Sequence, residues 1–246
     1  MKVQFVIEDE SLLADKEIHP QPISNYAPDW FKNLNIAKPK TKSLLEKFTM
    51  TNNVKSCPSF IDVYQDGFVI LAPNDYILAY DENTGYYEWR VAAQFQRPEY
   101  NTKTVDVSVH SKEQMIEHLP SNSPYKKIFK FNLPMKVITP NGYSMRQLPI
   151  PYSFNKDYEA AYGILRTDKN HEVNIQMLYK SDKEEILIKR GTPLCVFAPF
   201  KRDKFSIEIV NNKTNKKIRD RLLVNENILY ASFGKKTKNT EYFSSE

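Results

Sequence analysis

Glycine is scarce in this chain, with 6 residues among 246. Loops that cradle phosphate need glycine so that the backbone can approach the ligand closely. Neither a Walker loop nor a Gly-x-Ser-x-Gly elbow occurs, so the sequence offers no complete motif for those two kinds of hydrolysis. There are only two cysteines, Cys57 and Cys195. Both lie beside apolar residues at no metal-ligand spacing, so both are expected to be reduced, buried thiols that pack rather than react. The four histidines are His19, His110, His118 and His171. None stands three to five positions from another ligand in a zinc pattern, and Glu117 beside His118 points elsewhere on a helix. No metal and no cofactor is therefore expected. No apolar run reaches membrane-span length, and the opening MKVQFVIEDE lacks an apolar run of signal length. With its thiols unpaired, the chain is expected in an intracellular setting and away from membranes.

Aromatic residues are plentiful by contrast. There are 15 Tyr and 14 Phe, and hydrophobic residues make up 41% of the chain. That is enough for a real core, and aromatic richness suits pleated surfaces. The net charge of +5 is unevenly placed. Over residues 201–246 eleven Lys and Arg stand against six Asp and Glu, while the first 200 residues carry 24 of each. The basic end is either a weak polyanion contact or a solvated surface.

The stretch from Val137 to Lys201 organises the rest. It holds a Pro-Asn-Gly turn at 140–142, a glycine at the start of a strand (Gly163), and a Lys-x-Gly-Thr-Pro turn (Lys189, Gly191, Thr192, Pro193) before an apolar strand. Short turns between alternating runs describe antiparallel hairpins. Before this stretch the sequence predicts a strand over 3–7, a Pro-rich connector at His19-Pro20-Gln21-Pro22, and a short helix carrying Trp30, Phe31 and Leu34 on one face. That helix pins the arm to the body; the functional alternative for Trp30 is a stacking platform for a base. A helical turn is expected at 43–47. Strands are expected over 54–64, 67–73 and 76–80, and Asp81-Glu82-Asn83-Thr84-Gly85 turns the chain into a strand over 86–91. Residues 104–109 alternate as a strand. Ser111 and Gln114 suggest a capping box for a helix running to Leu119, and a strand follows at 128–131. Residues 211–221 are expected as helix or loop, and 228–233 as a last apolar segment before a mobile end.

The central stretch resembles the trimeric dUTPase family, a β-clip fold. In that family a Gly-Tyr strand leads to a phosphate loop, a hairpin supplies a water-activating aspartate, and a Lys-x-Gly turn precedes the last strand. Here Gly142-Tyr143 matches the first strand and Arg146 falls within it. Gly163-Ile164-Leu165 matches the start of the hairpin, Glu172 to Ile175 the strand leaving it, and Ile188 to Leu194 the last turn. The resemblance covers about residues 135–200. The departures are chemical. Arg166 occupies the place of the water-activating aspartate, and a guanidinium cannot act as a general base. Asp168 retains one carboxylate. Lys169 stands at the base-stacking position, and Pro149-Ile150-Pro151-Tyr152 replaces the phosphate loop. Ser232 to Thr237 faintly echoes the glycine-rich C-terminal arm of that family. Over nearly the whole chain the order of Asp29-Trp30-Phe31-Lys32, Lys55 to Asp62 and Pro199-Phe200-Lys201-Arg202 is similar to uncharacterised proteins of tailed bacteriophages.

The expected fold is mainly β, a β-clip or dUTPase-like barrel or sandwich with a few short helices. Its parts are an N-terminal arm with a short helix (1–55), a β-rich core (56–210) and a basic C-terminal tail (211–246). The resemblances imply a bacteriophage protein that is not an enzyme: a virion- or capsid-associated structural or binding protein in the particle or host cytoplasm, partnered by itself as a homotrimer and by other phage proteins. The alternative is a nucleotide-binding or nucleotide-hydrolysing protein with Tyr143, Arg146 and Asp168 near the ligand. No catalytic residue is assigned.

Overall fold

Among the described residues thirteen strands, all paired antiparallel, carry the fold. The computed structural model describes residues 2–8, 10–34, 54, 57–91, 106–211 and 215–222. Among these, the chain divides into two units, Met1–Arg202 and Asp203–Glu246.

The first unit opens with strand β1 (Gln4–Val6), helix α1 (Glu10–Ala14), a two-residue strand β2 (Gln21–Pro22), helix α2 (Asp29–Lys32) and helix α3 (Pro58–Val63). Strands β3 (Phe68–Leu71), β4 (Tyr76–Tyr80), β5 (Tyr87–Val91), β6 (Asp106–Val109) and β7 (Lys127–Ile138) follow. Then come β8 (Tyr143–Leu148), β9 (Tyr158–Ala160), β10 (Gly163–Leu165), β11 (Glu172–Tyr179), β12 (Glu185–Ile188) and β13 (Pro193–Lys201).

Three sheets form. In the first, the long β7 carries β11 along one side and β6 and β1 end to end along the other, and β9 adds beyond β11. The second runs β10-β8-β13-β3-β2, and the third β12-β4-β5. None of the three closes into a barrel. Period-two alternation explains the burial: along β7 the residues Phe129, Phe131, Leu133, Met135 and Val137 face inward, and Lys130, Asn132, Pro134 and Lys136 between them are only half-buried. The inward residues meet Ile70, Tyr76, Leu78, Ile175, Met177, Ile186 and Phe197 in one apolar core drawn from all three sheets.

The turns fall where the sequence placed them. At the β4–β5 hairpin Asp81 accepts from the Asn83 N–H at 2.9 Å and from the Thr84 hydroxyl at 2.7 Å, and Gly85 takes φ +69°. The Lys189-to-Pro193 turn closes by Thr192 N–H to the Lys189 carbonyl at 3.0 Å, with Gly191 at φ +77°.

Three expectations need correction. Residues 58–63 are helical, not a strand. Pro58 sits at a first helical turn, where its missing N–H costs nothing, and the four-residue spacing of Phe60 and Tyr64 puts both rings against Ile23, Val69 and Val196. Cys57, just ahead of that helix, is exposed; only Cys195 is buried. The capped helix expected over 111–119 is two single 3₁₀ turns, Lys112–Gln114 and Ile116–His118. The Ser111 side chain makes no cap, Gln114 Oε1 meets His110 Nδ1 instead, and Met115 at φ −157° interrupts the helix. The helical turn at 43–47, the segment 228–233 and the Ser232-to-Thr237 echo lie outside the described residues.

In the second unit, Phe205, Ile207 and Ile209 alternate with polar residues and are almost wholly exposed. Residues 216–222 are helical and carry Lys216, Lys217, Arg219 and Arg221. Among the described residues, no helix is long and apolar enough to cross a membrane.

Candidate functional site

The antiparallel pair β8 and β10 and the loop after β10 gather most residues of interest. β10 pairs with β8 in the register Gly163 to Gln147, Ile164 to Arg146 and Leu165 to Met145. The loop from β10 to β11 is stapled from inside. The Thr139 and Thr167 hydroxyls meet at 2.7 Å, and the His171 ring reaches the Thr167 carbonyl at 2.8 Å.

That staple places Asp168 against the end of β13. Its side chain is 1% exposed. One carboxylate oxygen accepts from Arg202 Nη1 at 3.0 Å; the other accepts from Arg202 Nη2 and from the Gly142 N–H, the latter at 3.0 Å. Arg202 also donates to the Tyr143 carbonyl at 2.7 Å and to the Ser144 hydroxyl. The Arg202 hydrogen bonds, and after them the Gly142 N–H, hold the Asp168 carboxyl down at about 2 against the opposing effect of burial. A carboxylate with so little appetite for a proton is a poor general base near neutral pH.

Of the three residues singled out in the sequence, the structure joins two. Asp168 and the Tyr143 backbone share Arg202. Arg146 does not join them. It stands three positions along β8, on the face opposite Tyr143, with its guanidinium 4.5 Å over the Phe200 ring.

Beside the clasp lies a cleft of about 450 Å³. Its walls carry the amides Gln147, Asn170, Asn174 and Gln176, the cations Arg166 and Lys169, and the carboxylate Glu172. Gln147 is the residue that sequence reasoning missed. It is 1% exposed, and its Nε2 donates to the Ala161 carbonyl at 2.8 Å and toward Gln176 Oε1 at 3.3 Å. The Ala161 carbonyl can only accept, so the amide nitrogen must face it. Gln147 Oε1 is then left buried with no hydrogen-bond partner among the described residues. An unpaired buried acceptor is costly and invites a donor from a ligand. In an alternating strand a glutamine reads as a surface residue, so no sequence signal marked it.

Trp30 packs against Phe31 and Phe60 at 6.0 and 5.7 Å, which ties α2 to α3. Among the described residues no three His, Cys, Asp or Glu side chains cluster as metal ligands.

No protein-family model matches the chain, and no curated protein matches it.

Proposed function

We propose that this is a non-enzymatic bacteriophage protein that works by binding, as a structural or docking component associated with the virion or capsid. The observation that carries this reading is the Asp168 clasp. The one carboxylate that survives in the dUTPase-like pattern is enclosed and spent on Arg202 and the Gly142 N–H. Arg166, at the place of the activating residue, is a permanent cation. The antiparallel sheets are compatible with a β-clip core, and such a core suits self-association as a homotrimer with contacts to other phage proteins. The test is co-sedimentation. In a density gradient of infected-cell lysate the protein travels with particles; recovery only in the soluble fractions overturns the reading.

A second reading has its own support. Gln147 lines a polar cleft flanked by Arg166 and Lys169, as suits a nucleotide whose base meets the amide and whose phosphates meet the cations. On this reading the ligand meets Gln147, Arg166 and Lys169, and Tyr143, Arg146 and Asp168 are not among the residues that line the cleft. A deoxynucleoside triphosphate then raises the melting temperature, and Gln147→Met removes the rise. No thermal shift with any of the four nucleotides sinks it.

A further inference from the structure

Three aromatic rings of the first unit stand together in solvent. Trp30 on α2 is 39% exposed, and Tyr152 and Phe154, in the loop after β8, are 43% and 72% exposed. Their centroids make a nearly equilateral triangle. Trp30 lies 6.3 Å from Tyr152 and 6.4 Å from Phe154, and Tyr152 lies 6.4 Å from Phe154. The ring planes cross at 82°, 43° and 60°. Phe60 forms the floor, stacked on Tyr152 at 4.4 Å and set edge-on to Trp30.

The backbone is strained to make this arrangement. Tyr152 and Phe154 have φ of +52° and +51°, and they are the two non-glycine residues with positive φ among those described. Bulky residues rarely adopt that conformation. Phe154 gains little packing in return, because most of its ring is in water. Strain that displays a ring rather than burying it points to a binding role.

Geometry narrows the ligand. A planar base is gripped between two parallel walls, and crossed planes do not supply them. A sugar needs several hydrogen-bonding side chains, and these rings offer one hydroxyl, that of Tyr152. A compact, rounded group fits walls that cross. Ring faces carry negative charge density, and a cation is attracted within about 6 Å of a centroid. A site just above the middle of this triangle lies within that reach of all three rings. Elsewhere the chain's own cations cover rings, Lys127 on Tyr87 and Arg146 on Phe200.

We propose that Trp30, Tyr152 and Phe154 form an aromatic cage for a methylated ammonium group, carried by a quaternary-ammonium metabolite or by a trimethylated lysine. The cage works whether or not the protein travels with particles.

Calorimetric titration of the full chain tests it, using choline and its neutral carbon isostere 3,3-dimethylbutan-1-ol. Choline binds saturably, and the isostere binds at least tenfold more weakly. Phe154→Leu keeps an apolar side chain but removes the ring, so it weakens choline at least fivefold with the melting temperature unchanged. A trimethyl-lysine peptide that binds more tightly than choline assigns the group to a protein partner; equal affinity assigns it to a small molecule. Failure of choline to bind, equal binding of choline and the isostere, or a Phe154→Leu variant that binds like the parent overturns the cage.

Discussion

Arg202 closes on Asp168 with both terminal guanidinium nitrogens, Nη1 at 3.0 Å, and the carboxylate it holds is almost completely enclosed. The pair joins residues 34 positions apart and ties the end of β13 to the loop after β10. A side chain so placed belongs to the architecture of the hairpin region rather than to proton transfer.

The pair has a pH signature. The folded Asp168 carboxyl sits at about 2, below its ordinary 3.8, first because Arg202 donates to it and then because the Gly142 N–H does. Between those values the unfolded chain binds the proton more readily than the folded one. The pair therefore stabilises the fold above pH 4, and that stabilisation fades as the pH falls toward 2. Asp168→Asn melts several degrees lower than the parent at pH 7, and the gap narrows steadily from pH 4 to pH 3. Calorimetric melts at those three values read it directly.

Among the described glycines, Gly67 is the one whose replacement is most damaging. It has φ +124°, and an added Cβ would stand 2.7 Å from the Phe197 carbonyl oxygen on the neighbouring β13. Gly191 has φ +77° but open space around it. Gly191→Ala costs about 1–2 kcal/mol, the price of left-handed backbone alone. Gly67→Ala costs more, because the strand must also move away. Urea titration of both variants ranks them.

The two thiols differ in access. Cys57 is exposed and Cys195 is buried in the core, where burial pushes its thiol well up. A thiol reagent titrates one equivalent in the native protein and a second only in denaturant. Two fast equivalents under native conditions would mean that β13 is not packed as described.

Strain in the Tyr152–Phe154 loop makes an unusual mutational contrast. Glycine adopts positive φ without penalty, and the Phe154 ring buries little, so Phe154→Gly leaves stability unchanged within about 0.5 kcal/mol. Tyr152→Gly also relieves the backbone but loses the stack on Phe60, and costs about 1–2 kcal/mol. Chemical denaturation of the pair measures the difference.

The turns were legible because their signals are local, although only the β4–β5 turn joins two paired strands and the Lys189-to-Pro193 turn passes from one sheet to another. Asp81 and Gly85 fix one turn, Lys189, Gly191 and Pro193 another, and each needs only its own few residues. The helix at 58–63 was misread because Ile61 and Val63 are good strand residues. What decides the matter is Phe60 and Tyr64 packing onto a sheet remote in sequence. The capping box at Ser111 failed because His110 competes for Gln114. Asp168 was visible as the surviving carboxylate, but its partner Arg202 stood out only within the Pro199-to-Arg202 run and the basic excess of residues 201–246. Gln147 and the Tyr152–Phe154 rings acquire meaning only in three dimensions, through a buried oxygen without a donor and a backbone bent against its preference.

The most direct test of a binding rather than a hydrolytic role is release of pyrophosphate. The full-length protein and its Asp168→Asn variant are incubated at pH 7 with Mg²⁺ and each deoxynucleoside triphosphate. Neither releases pyrophosphate above the uncatalysed background if Asp168 is a structural clasp. Turnover by the parent that disappears in a folded Asp168→Asn variant would show that the enclosed carboxylate does chemistry after all.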